Sequence, residues 1–349
     1  MASLAGALPG VSYVMPVLNE VRYVESAIVT VLAQDYAGDK QVILAIGPST
    51  DGTTELVQKL AAADPRITIV HNPATDIPVG LNLAIRASSH PIIVRVDAHS
   101  ELEPGYTSRA VATLERTGAA NVGGIMLARG KTPFQSAAAR GYNSKFGLGG
   151  ARYHGSTQEG EAEPAYLGVF RREVLDEVGL FDESLKRGED WELNLRIRAA
   201  GHTVWFDPSL TVTYWPRESW TKLGRQFLAT GIWRGELVRR YKGRNPWRFF
   251  IPPMLVGSII GSIVLFALQL SPIVNGGWTI AFSFFYLGPI SYVVLVLWLA
   301  FVADRAPTWA ERFSFVVVLP TMHIMWGIGF IVGLLRGARD TVDTSRTEN

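Results

Sequence analysis

Between Phe249 and Ala303 the chain has no Asp, Glu, Lys, Arg or His. No other feature constrains its fold so strongly. A helix needs about 20 apolar residues to cross a bilayer, so this run is long enough for two crossings. The cluster Ser271-Pro272-Ile273-Val274-Asn275-Gly276-Gly277 reads as the turn between them. The spacing predicts spans near residues 251–270 and 278–303. A third run, residues 313–335, has His323 as its one ionisable group. Such long uncharged runs are rare in the buried helices of soluble proteins. Pro320 offers a break at which the third run would re-enter rather than cross.

Charge divides the remaining chain. Residues 1–214 carry 19 basic and 24 acidic side chains, residues 215–248 carry 9 and 2, and residues 249–349 carry 5 of each. This predicts a front domain over 1–214, a basic aromatic segment over 215–248, and a membrane domain over 249–349. The last would hold about three transmembrane helices and a short polar tail. Arg239, Arg240, Lys242, Arg244 and Arg248 precede the first span, and Arg305 and Arg312 lie between the second and third. The positive-inside rule then places residues 1–248 in the cytoplasm, on a multi-pass protein of the plasma (inner) membrane. Arg336 and Arg339 fit poorly with an external C-terminus. Trp215, Trp220, Phe227, Trp233, Tyr241 and Trp247 stand among the bases of the second zone. That mixture suits an interfacial segment on anionic lipid, and no nucleic-acid partner is expected. Met1–Gly10 has no basic n-region, so no secretory signal is read there. The absence of Cys excludes disulfides and cysteine-ligated zinc.

Strand and helix patterns alternate in the front domain. Strands are expected at residues 11–15, 42–46, 67–70 and 91–96, with Pro16 stopping the first. Helices are expected at 21–33, 53–63 and 79–87. This order implies an α/β domain with a parallel sheet. Ligands in such sheets bind beyond the carboxyl ends of the strands, which singles out Asn19, Asp51, Asp97 and His99. No G-x-G-x-x-G or G-x-x-x-x-G-K-[ST] is present, so neither standard phosphate loop applies.

Two acidic clusters carry the chemistry. Asp97-Ala98-His99 follows a strand, and residues two apart in extended chain point the same way. Carboxylate and imidazole together can hold a divalent metal, with His favouring Mn²⁺ over Mg²⁺. An Asp at a strand end also serves as a turn or helix cap. Glu189-Asp190 precedes a helical pattern. Asp190 is either its N-cap or a general base. Residues 130–168 are rich in Gly, with Tyr142, Phe146, Tyr153 and His154 interspersed, and read as a linker or as a mobile loop at an acceptor pocket. Arg225 or Arg234 would face a diphosphate.

Together these segments resemble family 2 inverting glycosyltransferases. Val11 through Glu20 (V-S-Y-V-M-P-V-L-N-E) is similar to the family's opening strand and nucleotide-contact turn, and Ser49-Thr50-Asp51-Gly52-Thr53 to its S-T-D-G-T. Asp97-Ala98-His99 stands where the family has a metal-binding D-x-D, and Glu189-Asp190 where it has the E-D pair. The membrane-bound succinoglycan-biosynthesis subgroup is resembled in Arg95-Val96-Asp97-Ala98-His99, Thr132-Pro133-Phe134-Gln135 and Phe146-Gly147-Leu148-Gly149-Gly150. The same holds for Asp190-Trp191-Glu192-Leu193-Asn194 and for Gln226 through Arg234. Ile46, Gly47 and Pro48 replace the acidic residues usual before S-T-D-G-T. Gln226 is followed by Phe227-Leu228-Ala229-Thr230, not by the Q-x-x-R-W of processive synthases.

The resemblance implies a glycosyltransferase A-type (Rossmann-like) domain followed by C-terminal transmembrane helices. It implies transfer of one sugar from a nucleotide-diphosphate sugar to a lipid-linked glycan acceptor in cell-envelope or exopolysaccharide biosynthesis. Asp190 is then the catalytic base with Glu189 beside it, and Asp97 and His99 hold Mn²⁺ or Mg²⁺. Pro16, Asn19, Glu20, Asp51, Asn82, Arg95, Asp97, Gly149, Gly150, Gln226, Trp233 and Arg234 are the implied substrate-binding residues. Polyprenyl phosphate as acceptor and a non-catalytic sugar-nucleotide-binding scaffold are the alternatives. A transporter fits badly, because the spans have almost no ionisable groups to form a path.

Overall fold

The structure, a computed structural model, describes residues 8–148, 156–243, 245–270, 283–303, 308–339 and 341. Among them, 8–128 and 156–215 form one compact unit, and 129–148 with 216–341 form a second.

In the first unit the strands are β1 (Val11–Val17), β2 (Lys40–Ile46), β3 (Ile67–His71), β4 (Ile92–Arg95), β5 (Ser100–Leu102), β6 (Asn121–Ala128), β7 (Gly160–Glu161), β8 (Tyr166–Arg171) and β9 (Val204–Tyr214). They form one sheet in the order β3-β2-β1-β4-β8-β6-β9-β5, with β7 also on β9. β3, β2, β1 and β4 are parallel, as the alternating pattern predicts. β8 then runs antiparallel to both β4 and β6, so the sheet is mixed.

Alternate residues feed two cores. Tyr13, Met15, Val42, Leu44 and Val94 face one layer of helices, and Val14, Ile43, Ala45 and Ile93 face the other. The first layer holds α1 (Val24–Leu32), α2 (Thr53–Ala63) and α4 (Tyr106–Thr117). The second holds α3 (Ile77–Ala87), α6 (Arg172–Val178) and α7 (Glu189–Ala199). Covering both faces explains why the central strands read as continuous apolar runs. β1 continues through Pro16 to Val17, against the expected stop. α3 starts two residues early, because Pro78 is tolerated in a first turn that makes no i−4 bond.

The second unit opens on α5 (Pro133–Asn143), capped by the Thr132 hydroxyl, which accepts the Gln135 N–H at 3.2 Å. The expected linker at 130–168 thus contains a helix as well as β7 and β8. α8 (Trp220–Arg240) follows, then α9 (Ile251–Gln269), α10 (Leu287–Trp298) and α11 (Trp309–Arg336). Among the described residues, three helical segments, Trp247–Gln269, Phe284–Ala303 and Trp309–Arg336, are long and apolar enough to cross a membrane. The expected break at Pro320 does not occur, since α11 runs through it. The inter-span turn at 271–277 lies outside the described residues.

The basic aromatic segment contains α8. α8 packs along α11 through glycines on both helices. A Cβ on Gly231 would lie 2.1 Å from the Trp326 carbonyl oxygen, and one on Gly333 would lie 1.9 Å from that of Ile232.

Candidate functional site

β1 lies between β2 and β4, so the sheet changes its direction of growth beside β1. The crevice beyond such a point is where open α/β sheets bind ligands. The pairing of β1 with β4 ends at Val14 and Arg95, and the Val96 N–H donates to the Val14 carbonyl at 3.0 Å. Pro16, two residues on, has no N–H to offer on that same edge, and the strands part there. Asn19 and Glu20 follow β1 into this opening, and Asp97 and His99 follow β4.

The turn after β1 is tied to the turn after β2. Asn19 adopts φ 54°, a left-handed conformation that Asn tolerates well. Its N–H donates to Ser49 Oγ at 3.0 Å, and its Oδ1 accepts the Thr50 N–H at 2.8 Å. Asp51 Oδ2 accepts the Val21 N–H at 3.2 Å, and its Oδ1 accepts the Thr53 N–H at 3.0 Å and the Thr53 hydroxyl at 2.5 Å. Burial raises the Asp51 carboxyl, but the bonds from Thr53 and Val21 outweigh it and hold the group below the usual carboxylate range. Both oxygens are engaged within the chain. Asp51 therefore joins two turns.

Arg95 is the centre of the site. Only 4% exposed, its Nη2 lies 3.3 Å from Asp97 Oδ1 and 3.1 Å from Glu189 Oε1. Its Nη1 bonds the Asp190 carboxylate. Burial lowers the guanidinium, but Asp97 and Glu189 more than compensate and push it above its ordinary value. α7 begins after Gly188, whose φ of 81° suits a residue without a side chain. Asp190 is thus inside the first turn, and its carboxylate goes to Arg95 rather than capping the helix. His99 is buried, with Nδ1 3.5 Å from Glu20 Oε1 and its ring edge-on to Tyr214 at 5.3 Å.

No group of three His, Asp or Glu side chains is assembled for a metal among the described residues. Asp97 and His99 nevertheless fit a cation that takes few protein ligands and completes its shell with water and substrate phosphates. Three carboxylates around one guanidinium leave negative charge for such a cation to balance.

Four other expected site residues have the following surroundings. Asn82 is buried, and its Nδ2 donates to the Phe181 carbonyl and Glu183 Oε1 at 2.9 and 2.8 Å. It holds the chain ahead of α7. Gln226, Trp233 and Arg234 belong to α8 in the second unit. Gln226 Oε1 accepts from the Tyr142 hydroxyl at 3.3 Å, Trp233 is buried with Nε1 donating to the Thr341 carbonyl at 3.0 Å, and Arg234 stacks on Phe249 at 4.2 Å. These contacts build that unit. Gly149, Gly150, Tyr153 and His154 lie outside the described residues.

Several site residues were not singled out from the sequence. Asn121 Nδ2 donates to Asn194 Oδ1 at 2.7 Å, pinning α7 to β6. Asn194 stands in the D-W-E-L-N segment, which was its one signal. The Phe181 ring lies 5.8 Å from the Arg95 guanidinium carbon. Burial, and then the Asp97 charge, push the Tyr166 phenol well above its usual range. Beside it, Leu167 at φ 54° and Gly168 at φ 26° break the extended backbone of β8. Such outliers concentrate at functional sites.

Residues 12–179 match the family described as Glycosyl transferase family 2. The chain thus resembles this family over those residues. It is 28% identical over 319 residues to the Succinoglycan biosynthesis protein ExoA of Rhizobium meliloti (strain 1021), covering 91% of this chain and 92% of that protein. It is 24% identical over 268 residues to the dolichyl N-acetyl-alpha-D-glucosaminyl phosphate 3-beta-D-2,3-diacetamido-2,3-dideoxy-beta-D-glucuronosyltransferase of Methanococcus voltae, covering 73% and 83%. Its fold is similar to that of the mannosyltransferase PcManGT from Pyrobaculum calidifontis in complex with GDP-Man and Mn²⁺. That match has a TM-score of 0.61 at 17% identity, over 93% of this chain and 87% of the other. The glycosyltransferase domain has the A-type α/β fold that the motifs imply.

Proposed function

We propose that this glycosyltransferase is membrane-anchored and inverting, and moves one sugar from a nucleotide-diphosphate sugar to a lipid-linked glycan in cell-envelope or exopolysaccharide biosynthesis. The observation that carries the reading is the convergence of Asp97, Glu189 and Asp190 on Arg95 at the carboxyl end of β4. The metal-side and base-side acids of the family motifs meet there within one guanidinium's reach.

Asn19 and Glu20, held by the Ser49–Thr53 turn, line the donor side of the crevice. Asp97 and His99 hold the divalent cation, Mn²⁺ or Mg²⁺, which offsets charge on the leaving diphosphate when bound. Asp190 accepts the proton of the acceptor hydroxyl as that oxygen attacks the anomeric carbon. The bond from that carbon to the diphosphate breaks, the nucleoside diphosphate leaves, and the configuration inverts. Glu189 keeps Arg95 in place beside the base.

The apolar helices support membrane anchoring, and the basic residues at 239–248 support a cytoplasmic position for the catalytic domain. The relatives' names support both a polysaccharide pathway and a lipid-linked acceptor, and the GDP-Man and Mn²⁺ bound to PcManGT support the donor class and the metal. Holding enzyme and acceptor on one surface lowers the entropy cost of their encounter.

The test is a panel of uridine, guanosine and thymidine diphosphate sugars offered with Mn²⁺ to membranes containing the full-length protein. Mass analysis should find one sugar added to a lipid-extractable product. A product found only in the aqueous phase would sink the lipid acceptor.

A further inference from the structure

Arg95 stands between the two halves of the proposed chemistry, and each of its side-chain nitrogens is committed. Nε lies 3.3 Å from Asp97 Oδ1, Nη2 meets Asp97 and Glu189, and Nη1 bonds Asp190. At 4% exposure on the last residue of β4, with Phe181 across its face, the guanidinium has little room to swing away. Phe181 is in turn fixed by Asn82. A planar fork can address three carboxylates in fixed directions, which an ammonium cannot do.

We infer that Arg95 is a positioning residue that couples the cation side of the site to the base side, competing with the metal for Asp97 while holding Glu189 and Asp190 in their working orientation. This rests on the proposed reading that Asp97 and His99 hold the cation and Asp190 is the base. Two effects of opposite sign follow. Loss of the guanidinium leaves three carboxylates without their cation, so a divalent ion is bound more tightly. The same loss leaves Asp190 unheld, so turnover falls. A residue serving only the fold would lower both.

The experiment uses the full-length protein in detergent. Free Mn²⁺ is followed by electron paramagnetic resonance, with Mn²⁺ alone and with uridine or guanosine diphosphate, and fold is followed by circular dichroism. Arg95→Gln should bind Mn²⁺ about fivefold or more tightly, the lower end of ordinary site coupling. Its kcat should fall about 100-fold, as expected for a misplaced catalytic group. Arg95→Lys should keep a Mn²⁺ affinity near that of the unsubstituted protein, with an intermediate kcat. Mn²⁺ affinity unchanged or weakened in Arg95→Gln overturns the coupling while leaving the proposed function intact. If the unsubstituted protein binds no Mn²⁺ with any nucleotide, both readings fall. Should Arg95→Gln not fold, Arg95→Lys decides. A folded Arg95→Lys with full kcat overturns the inference, and one with kcat about tenfold lower and unchanged Mn²⁺ binding supports it.

Discussion

The Asn82 side chain and the Phe181 main chain exchange two hydrogen bonds. Asn82 Nδ2 donates to the Phe181 carbonyl at 2.9 Å, and its Oδ1 accepts the Phe181 N–H at 3.0 Å. A residue of α3 thereby sets the place of the ring against Arg95. Asn82→Ala leaves a buried N–H and carbonyl without partners, at a cost of ~1–3 kcal/mol for each unsatisfied group. The denaturation midpoint should fall and kcat should drop, while the KM for the donor stays near its original value. Steady-state kinetics beside urea unfolding check this. A large rise in donor KM at full stability would make Asn82 a substrate contact.

Asp190→Asn preserves shape and removes the base. With a hydroxyl acceptor, kcat should fall by roughly 10²–10⁴-fold, the usual worth of a positioned acid or base. A phosphate acceptor is already ionised and needs no base, so that reaction would survive the substitution. The readout is radiolabelled sugar entering the lipid fraction, with circular dichroism confirming the fold. Retained activity would move the proposal to polyprenyl phosphate.

Asp51 predicts a pH effect. Its carboxyl is held below the ordinary value of 3.8, with the Thr53 and Val21 bonds outweighing burial. A carboxyl depressed in the folded state contributes stability that is fully present above its unfolded pKa and is lost as pH falls through the folded value. Asp51→Asn should therefore lower the Tm at neutral pH, and the gap should close below about pH 4. Thermal unfolding followed by tryptophan fluorescence across that range checks it. A gap that stays constant into acid would mean the charge of Asp51 plays no part.

What was legible in the sequence follows from range. The three apolar helices could be read because the missing charges are a local property of each run. The parallel strands could be read because burial on both faces makes them continuously apolar. Arg95 was visible as part of R-V-D-A-H, but its partners Glu189 and Asp190 lie more than 90 residues away, and only the sheet brings them together. The bond from Asn121 to Asn194 was hidden for the same reason. α8 shows what residue pattern alone leaves out. Its bases and aromatics suggest a helix lying on lipid, and those same residues mask the small ones that decide its packing. Pro16 reads as a stop in the sequence, and Pro320 offers a break. The first sits where its strand has already lost a neighbour, and the second inside a helix that continues around it.

The packing of α8 on α11 makes the last prediction. Gly231 and Gly235 on one helix face Gly329 and Gly333 on the other. Added Cβ atoms would lie 2.1, 2.3, 2.2 and 1.9 Å from backbone oxygens of the opposite helix. Backbone cannot yield as a flexible side chain can, so the helices would have to separate. Small residues four apart allow this closeness where the surroundings are as apolar as the helices themselves and shape must supply the association. Gly333→Leu should destabilise the protein by ~1–3 kcal/mol or more, the cost of overpacking. The apolar spans remain, so the variant should stay with the membrane fraction while its Tm in detergent falls. Ile263→Val, at a position 63% exposed on α9, is the control and should change the Tm little. An unaltered Tm in Gly333→Leu would show that α8 and α11 are not in backbone contact.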